Sequence, residues 1–104
     1  MRFLLPIILA LLLISCANNT GNNFNHANTQ QLRQGMTEQE VIQILKGKPN
    51  SYKYELDGSY TAHWIYTRSA GFPIVTVVEG KLLYILFDKN HRMIEILQYS
   101  YNTY

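Results

Sequence analysis

The chain has 104 residues, 47% of them hydrophobic, and its nine Lys and Arg and seven Asp and Glu give a formal net charge of +2 at pH 7. This length allows one domain, and an even charge balance without any basic run argues against a nucleic-acid partner. The single cysteine, Cys16, rules out an internal disulfide, so the folded part must be stabilised by packing alone.

The first residues predict a secretory signal peptide over 1–15. Arg2 is followed by an apolar run from Phe3 to Ile14, and Ser15 is a small residue at the expected processing site. The run is well short of the ~20 apolar residues that a membrane-spanning helix needs. It is also apolar on every side, which does not suit an amphipathic core helix.

The end of the signal resembles a lipobox, the motif that directs a diacylglycerol to a cysteine thiol before cleavage. The matching residues are Leu13, Ile14, Ser15 and Cys16. We therefore expect covalent diacylglycerol and N-acyl lipid on Cys16, which would tether the chain to a membrane, and no other cofactor. The alternative is a plain secretory signal that leaves a free thiol.

The residues after Cys16 bear on which membrane holds the anchor. They are Ala17 and Asn18, so Asp is not present at the second mature position. By resemblance to the sorting signals of enterobacterial lipoproteins, this favours the outer membrane, with the chain on its periplasmic side.

The next segment is rich in Asn, lacks charged side chains and contains one large apolar residue, Phe24. Such a composition predicts a flexible tether over residues 16–28, followed by one domain over 29–104. The alternative is that the segment belongs to the domain, with Phe24 docked on its surface.

Two helices are predicted at the start of the domain. Thr37 and Glu40 have the spacing of a capping box, and an apolar stripe at helical spacing follows as far as Leu45. Gly47 and Pro49 then predict the end of a helix over about 37–46. A shorter helical piece is expected over 29–33, ended by a glycine.

The remaining chain shows strand patterns. Alternation of aromatic and β-branched residues predicts strands over about 60–67, 81–87 and 93–101. Asp57-Gly58 is a hairpin turn signal, 69–73 is predicted to be a loop, and 88–91 a tight turn. The expected fold is α+β: two short N-terminal helices packed on a three-stranded antiparallel sheet, in the order ααβββ.

The order of these motifs resembles the SmpA/OmlA (BamE-like) family of small outer-membrane lipoproteins. The matching pieces are Leu32-Arg33-Gln34-Gly35-Met36-Thr37, Val41, Leu45, Gly47-Lys48-Pro49, Trp64-Ile65-Tyr66 and Leu86-Phe87-Asp88. The resemblance implies a non-enzymatic protein-binding module, with the β-barrel assembly machinery as the implied partner. The family's Arg-Pro-Asp-Ile-type segment and Gln-Gly-Asn do not occur before the first helix, where this chain is Asn-rich.

No catalytic or metal site is predicted. His26, His63 and His91 lack the spacing of metal ligands, and neither Ser59 nor Ser100 has a nearby base in the sequence that would activate it. We therefore expect neither an enzyme nor a small-molecule substrate.

Aromatic residues are abundant instead, with eight tyrosines. The last strands are apolar on both faces, although a sheet covered on one side normally has a polar second face. The residues that we assign to an exposed partner-binding face are Tyr84, Met93, Leu97, Tyr99 and Tyr101, since Tyr and Met are enriched at interfaces. The alternative is that the tether, a loop or the C-terminal residues cover this face.

Two functions follow as hypotheses. The first is an outer-membrane lipoprotein that binds a protein partner in envelope maintenance or β-barrel assembly. The second is an inhibitor or modulator of a periplasmic enzyme, or a stress-related envelope lipoprotein. Deletion of the gene would distinguish the two hypotheses. Loss of an assembly factor would change the permeability of the outer membrane, whereas loss of an inhibitor would change the activity of one enzyme.

Overall fold

The computed structural model describes residues 18–103, so the predicted signal peptide, lipobox and Cys16 lie outside the described residues. Two helices and five strands follow in chain order: β1 (Asn18–Gly21), α1 (His26–Thr29), α2 (Glu38–Leu45), β2 (Ser51–Tyr54), β3 (Tyr60–Ala70), β4 (Thr76–Phe87) and β5 (Met93–Thr103). Within residues 18–103, no helix combines the length and the apolar character that crossing a membrane would need.

All strands belong to one antiparallel sheet, in which β3, β4 and β5 are successive neighbours. The other edge of β3 carries two short strands end to end: β2 pairs with residues 60–63 and β1 with residues 66–69. The sheet therefore holds five strands and is four strands wide, and its first strand precedes the helices.

The predicted three-stranded ααβββ fold is wrong. The central and C-terminal strands were predicted, and the predicted Asp57-Gly58 turn lies between β2 and β3, but neither β1 nor β2 was predicted as a strand. Each has four residues, which is too short for an alternating pattern to stand out, and β1 lies in an Asn-rich segment without β-branched residues apart from Thr20. Their pairing depends on the exposed edge of β3, which is a tertiary feature.

Helix α2 is confirmed with its capping box. The Thr37 hydroxyl accepts from the Glu40 backbone N–H at 3.2 Å, and the Glu40 carboxylate accepts from the Thr37 backbone N–H. The helix ends at Leu45 because Lys46 takes a left-handed conformation, one residue earlier than the sequence predicts. The shorter helix lies at 26–29 and not at 29–33, where its N-cap Asn25 accepts from the backbone N–H of Ala27.

The helices and the segment before them cover one face of the sheet. The fully buried side chains of this core are Phe24, Val41, Leu45, Ala62, Trp64, Leu83, Ile85 and Phe87. The Trp64 indole N–H donates to the carbonyl of Gly47 at 3.0 Å, which ties the end of α2 to the central strand.

The Asn-rich segment is part of this domain, which corrects the prediction of a flexible tether up to residue 28. Phe24 is 0% exposed, and Asn22 donates to the carbonyl of Leu45 at 3.2 Å. Gly21 has a φ of +85°, and a Cβ there would overlap the carbonyl oxygen of Ile65. Only glycine allows β1 to lie this close to β3.

Candidate partner-binding site

The structure divides the five residues that the sequence assigns to a partner-binding face. Strand β5 has two irregularities in its register with β4, one opposite Tyr84/Ile85 and one opposite Leu86/Phe87. Each extra residue changes which side chains face the helices, so strict alternation along β5 does not hold.

On the helix-bearing face, Met93 pairs with Phe87, Tyr99 with Leu83 and Tyr101 with Lys81. Met93 is buried in the core, at 6% exposure, and is not available to a partner. Tyr99 is half-buried and Tyr101 is 50% exposed.

Tyr84 lies on the opposite face, where its ring centroid is 4.2 Å from that of His63. Leu97 is exposed at one of the register irregularities and has no register partner in β4. The predicted face therefore reduces to Tyr99 and Tyr101, with the other three residues placed elsewhere.

These two tyrosines line a cleft of about 520 Å³ between the Asn-rich segment and the last two strands. We call this the Tyr99–Tyr101 cleft; its lining residues are Asn23, Asn25, His26, Lys81, Tyr99 and Tyr101. The sequence did not point to Asn23, Asn25 and His26, because the Asn-rich segment was predicted to be a tether outside the domain. It did not point to Lys81 either, since Lys81 contacts that segment only in the folded chain.

Lys81 holds the cleft together. Its ammonium donates to the side-chain oxygen of Asn23 at 2.7 Å and to the carbonyl of Phe24 at 2.9 Å, and it lies 3.6 Å from the Glu79 carboxylate. The same nitrogen lies 5.4 Å from the centre of the Tyr101 ring, within the range of a cation–π contact. These contacts fix the position of the Lys81 ammonium between the Asn-rich segment and Tyr101, and the Glu79 carboxylate offsets its charge.

Tyr99 is held from the other side by α1. The Tyr99 hydroxyl and His26 Nδ1 are 2.7 Å apart, and the two rings are in contact with centroids 5.4 Å apart. Burial raises the pKa of the Tyr99 hydroxyl above its usual value near 10, so this group stays neutral at physiological pH. The cleft thus presents fixed ring edges, amides and an imidazole, which suits hydrogen bonding and packing with a polypeptide.

A second aromatic group lies at the other end of the same face and was not predicted. Tyr52, Tyr54 and Tyr60 are in mutual contact, with ring centroids 5.7–5.8 Å apart. The Tyr60 hydroxyl donates to a Glu38 carboxylate oxygen at 2.7 Å and is 2.8 Å from His91 Nδ1. We call these three tyrosines the Tyr60 cluster; it packs α2 against the sheet.

The three histidines lie in separate places, and His26 begins α1 instead of lying in a tether. His26 lines the cleft, His63 lies 3.1 Å from the hydroxyl of Ser51, and His91 contacts Tyr60. In the described part of the chain, no group of three or more His, Cys, Asp or Glu residues is placed to hold a metal ion.

No model of a known protein family matches the sequence, and no curated protein matches it.

Proposed function

We propose that this chain is a non-enzymatic lipoprotein that is anchored by Cys16 on the periplasmic side of the outer membrane and binds a protein partner through the Tyr99–Tyr101 cleft. The observation that carries the proposal is the construction of the cleft, in which aromatic side chains are held in place by the hydrogen bonds of His26 and Lys81. A binding surface that is already ordered loses less conformational entropy when a partner binds.

The position of β1 supports the anchor. Asn18 is paired in the sheet, and Cys16 precedes it by two residues, which span at most about 7 Å of chain. A lipid on Cys16 would therefore hold the domain directly at the membrane surface, without a long tether.

The chemistry of the cleft supports a polypeptide partner. Tyrosine side chains offer large, amphipathic contact area with few rotatable bonds, and they are enriched among the residues that dominate binding energy. The resemblance to the SmpA/OmlA family makes the outer-membrane β-barrel assembly machinery the first partner to test, with envelope maintenance as the cellular role.

The test is a crosslinking experiment with the lipidated protein in its native envelope, using the parent chain and two variants. Tyr101→Ser removes a 50% exposed ring from the cleft, and Tyr54→Ser removes a 71% exposed ring from the Tyr60 cluster as a matched control. We expect the parent and Tyr54→Ser to recover the assembly components, and Tyr101→Ser to reduce recovery about tenfold, as loss of a central interface aromatic does.

Equal recovery with both variants would overturn the assignment of the cleft. Recovery of one periplasmic enzyme in place of the assembly components would overturn the assembly role and favour an inhibitor.

A further inference from the structure

The hairpin that joins β3 to β4 has an unusually apolar tip. Phe72 is 96% exposed, Ile74 76% and Val75 54%, and we call these three residues the apolar tip. A water-exposed loop normally carries polar side chains, and exposed apolar residues grouped in one place mark a site of contact with a protein or a membrane.

The register of the sheet places this tip beside the predicted lipid. Asn18 pairs with Ser69, three residues before Phe72, so the chain enters the sheet at the tip end of the hairpin. Cys16 is two residues further back, within about 7 Å of Asn18. The β2–β3 and β4–β5 turns lie at the opposite end of the sheet.

The distribution of charged residues around the tip is compatible with contact with an apolar surface. Residues 69–78 contain no Asp, Glu, Lys or Arg. The nearest charged side chains, Arg68 and Glu79, lie opposite each other in the sheet with nitrogen and oxygen 3.2 Å apart. Because these two charges are paired with each other, neither favours exposure of the tip to water or attraction of the tip to acidic headgroups.

The backbone limits how deep such a tip can go. Loop residues carry N–H and carbonyl groups that need water or headgroups as partners, so a hairpin tip cannot enter the hydrocarbon interior. Its side chains can reach the boundary between headgroups and acyl chains, where amphipathic elements bury their apolar groups.

We propose that the apolar tip inserts into the interface of the membrane beside the lipid on Cys16, so that the domain is held at two points and has a fixed orientation. This inference rests on the lipid anchor of the proposed function. It places Lys81, and with it the Tyr99–Tyr101 cleft, about 16 Å along β4 from Thr76, the residue that follows the tip, since Lys81 is five positions further along the strand.

The experiment uses the full, lipidated protein in vesicles of phosphatidylethanolamine and phosphatidylglycerol with brominated acyl chains, which quench tryptophan at the interface. One variant is Phe72→Trp at the tip. The matched control is Leu56→Trp, a fully exposed position in the turn at the opposite end of the sheet. Both retain Trp64, which is 0% exposed, so the parent chain supplies the common background.

We expect brominated lipid to reduce the added emission of Phe72→Trp about twofold, with a shift to shorter wavelength, and to leave Leu56→Trp unchanged. The effect should persist at high salt, because no unpaired charge drives insertion. Absence of quenching in lipidated Phe72→Trp overturns the proposal, and so does equal quenching of both variants, which would place the domain flat on the bilayer.

Lipid attachment is measured separately, by the mass of the N-terminal peptide. A lipidated chain that shows no quenching would overturn the insertion of the apolar tip but not the lipid anchor. A chain without lipid in which Phe72→Trp is still quenched would overturn the lipid anchor and support the insertion of the tip. A chain with neither lipid nor quenching would overturn both.

Discussion

The fold changes the titration of individual tyrosine hydroxyls. Tyr60 is 3% exposed, and burial together with the hydrogen bond to Glu38 raises the pKa of its hydroxyl far above the usual value near 10. Burial, and next the charge of Glu38, also raise the pKa of Tyr52. Both shifts thus have the same two causes: burial first, and then Glu38, a carboxylate on α2 that accepts hydrogen bonds from both tyrosines.

A pH dependence of stability follows at this residue scale. Because the folded pKa of Tyr60 lies above the unfolded value, its contribution is complete below pH 10 and is lost as pH rises, when the unfolded chain ionises first. We expect the free energy of unfolding to fall above pH 10, by up to about 1.4 kcal/mol per pH unit for this group. Urea titrations of the mature chain between pH 8 and 11 measure this change in the free energy of unfolding.

The variant Tyr60→Phe should be less stable than the parent at pH 8, by about 1–3 kcal/mol, since the hydrogen bond to a carboxylate is lost. Its stability should then depend less on pH in the alkaline range. Tyr54→Phe, which removes a hydroxyl from the exposed end of the cluster, is the control and should follow the parent curve. Parallel alkaline curves for Tyr60→Phe and the parent would contradict the argument.

At the scale of elements, Phe24 provides the apolar contact that docks the Asn-rich segment on the core. Phe24 is fully buried in the core, and its ring is 6.4 Å from that of Tyr99. The segment around it is polar and binds through Asn22 and Asn23. Strand β1 and one wall of the cleft therefore depend on the burial of this ring.

We expect Phe24→Ala to cost about 3–5 kcal/mol, as deletion of a buried aromatic ring does, and to release β1 from β3. The same substitution at the exposed tip, Phe72→Ala, is the control and should change stability by less than about 0.5 kcal/mol. Urea unfolding gives the stabilities, and amide hydrogen exchange over residues 18–25 reports the release. A flexible tether would exchange fast in the parent and show no effect of Phe24→Ala.

At the scale of the whole molecule, Lys81 joins parts of the chain that are far apart in sequence. From the middle of β4 it contacts Asn23 and the carbonyl of Phe24 near the N-terminal end, and the ring of Tyr101 near the C-terminal end. Its side chain is 11% exposed, so these contacts replace most of its hydration. The shape of the cleft depends on them.

We expect Lys81→Met, which keeps the length of the side chain but loses its donors, to cost about 1–3 kcal/mol, because the acceptors on Asn23 and Phe24 lose their partner. Lys53→Met is the control: Lys53 is 72% exposed and lies 3.9 Å from Glu55, so its loss should have little effect. Thermal unfolding measures both. Equal changes in the two variants would show that the contacts of Lys81 add nothing to the fold.

Local patterns along the chain were enough to predict the elements whose stabilising contacts are close in sequence. The capping box of Thr37 and Glu40 bonds within one helical turn, and the long alternation from Tyr60 to Thr67 marks the central strand. In both cases the residues that form the element also supply the signal.

The sequence by itself therefore determined the helix α2 and the three long strands, whereas the predicted partner face stays a prediction. Only the tertiary structure decided that β1 and β2 share one edge of β3, that the helices cover the face of β5 that carries Met93 and Tyr99, and that Phe24 docks the Asn-rich segment. The pairing of β1 and the docking of Phe24 depend on partners more than forty residues away in the chain, which no local pattern records. The cleft combines such distant residues, and so the sequence pointed to two of its tyrosines but not to Lys81, His26 or the asparagines beside them.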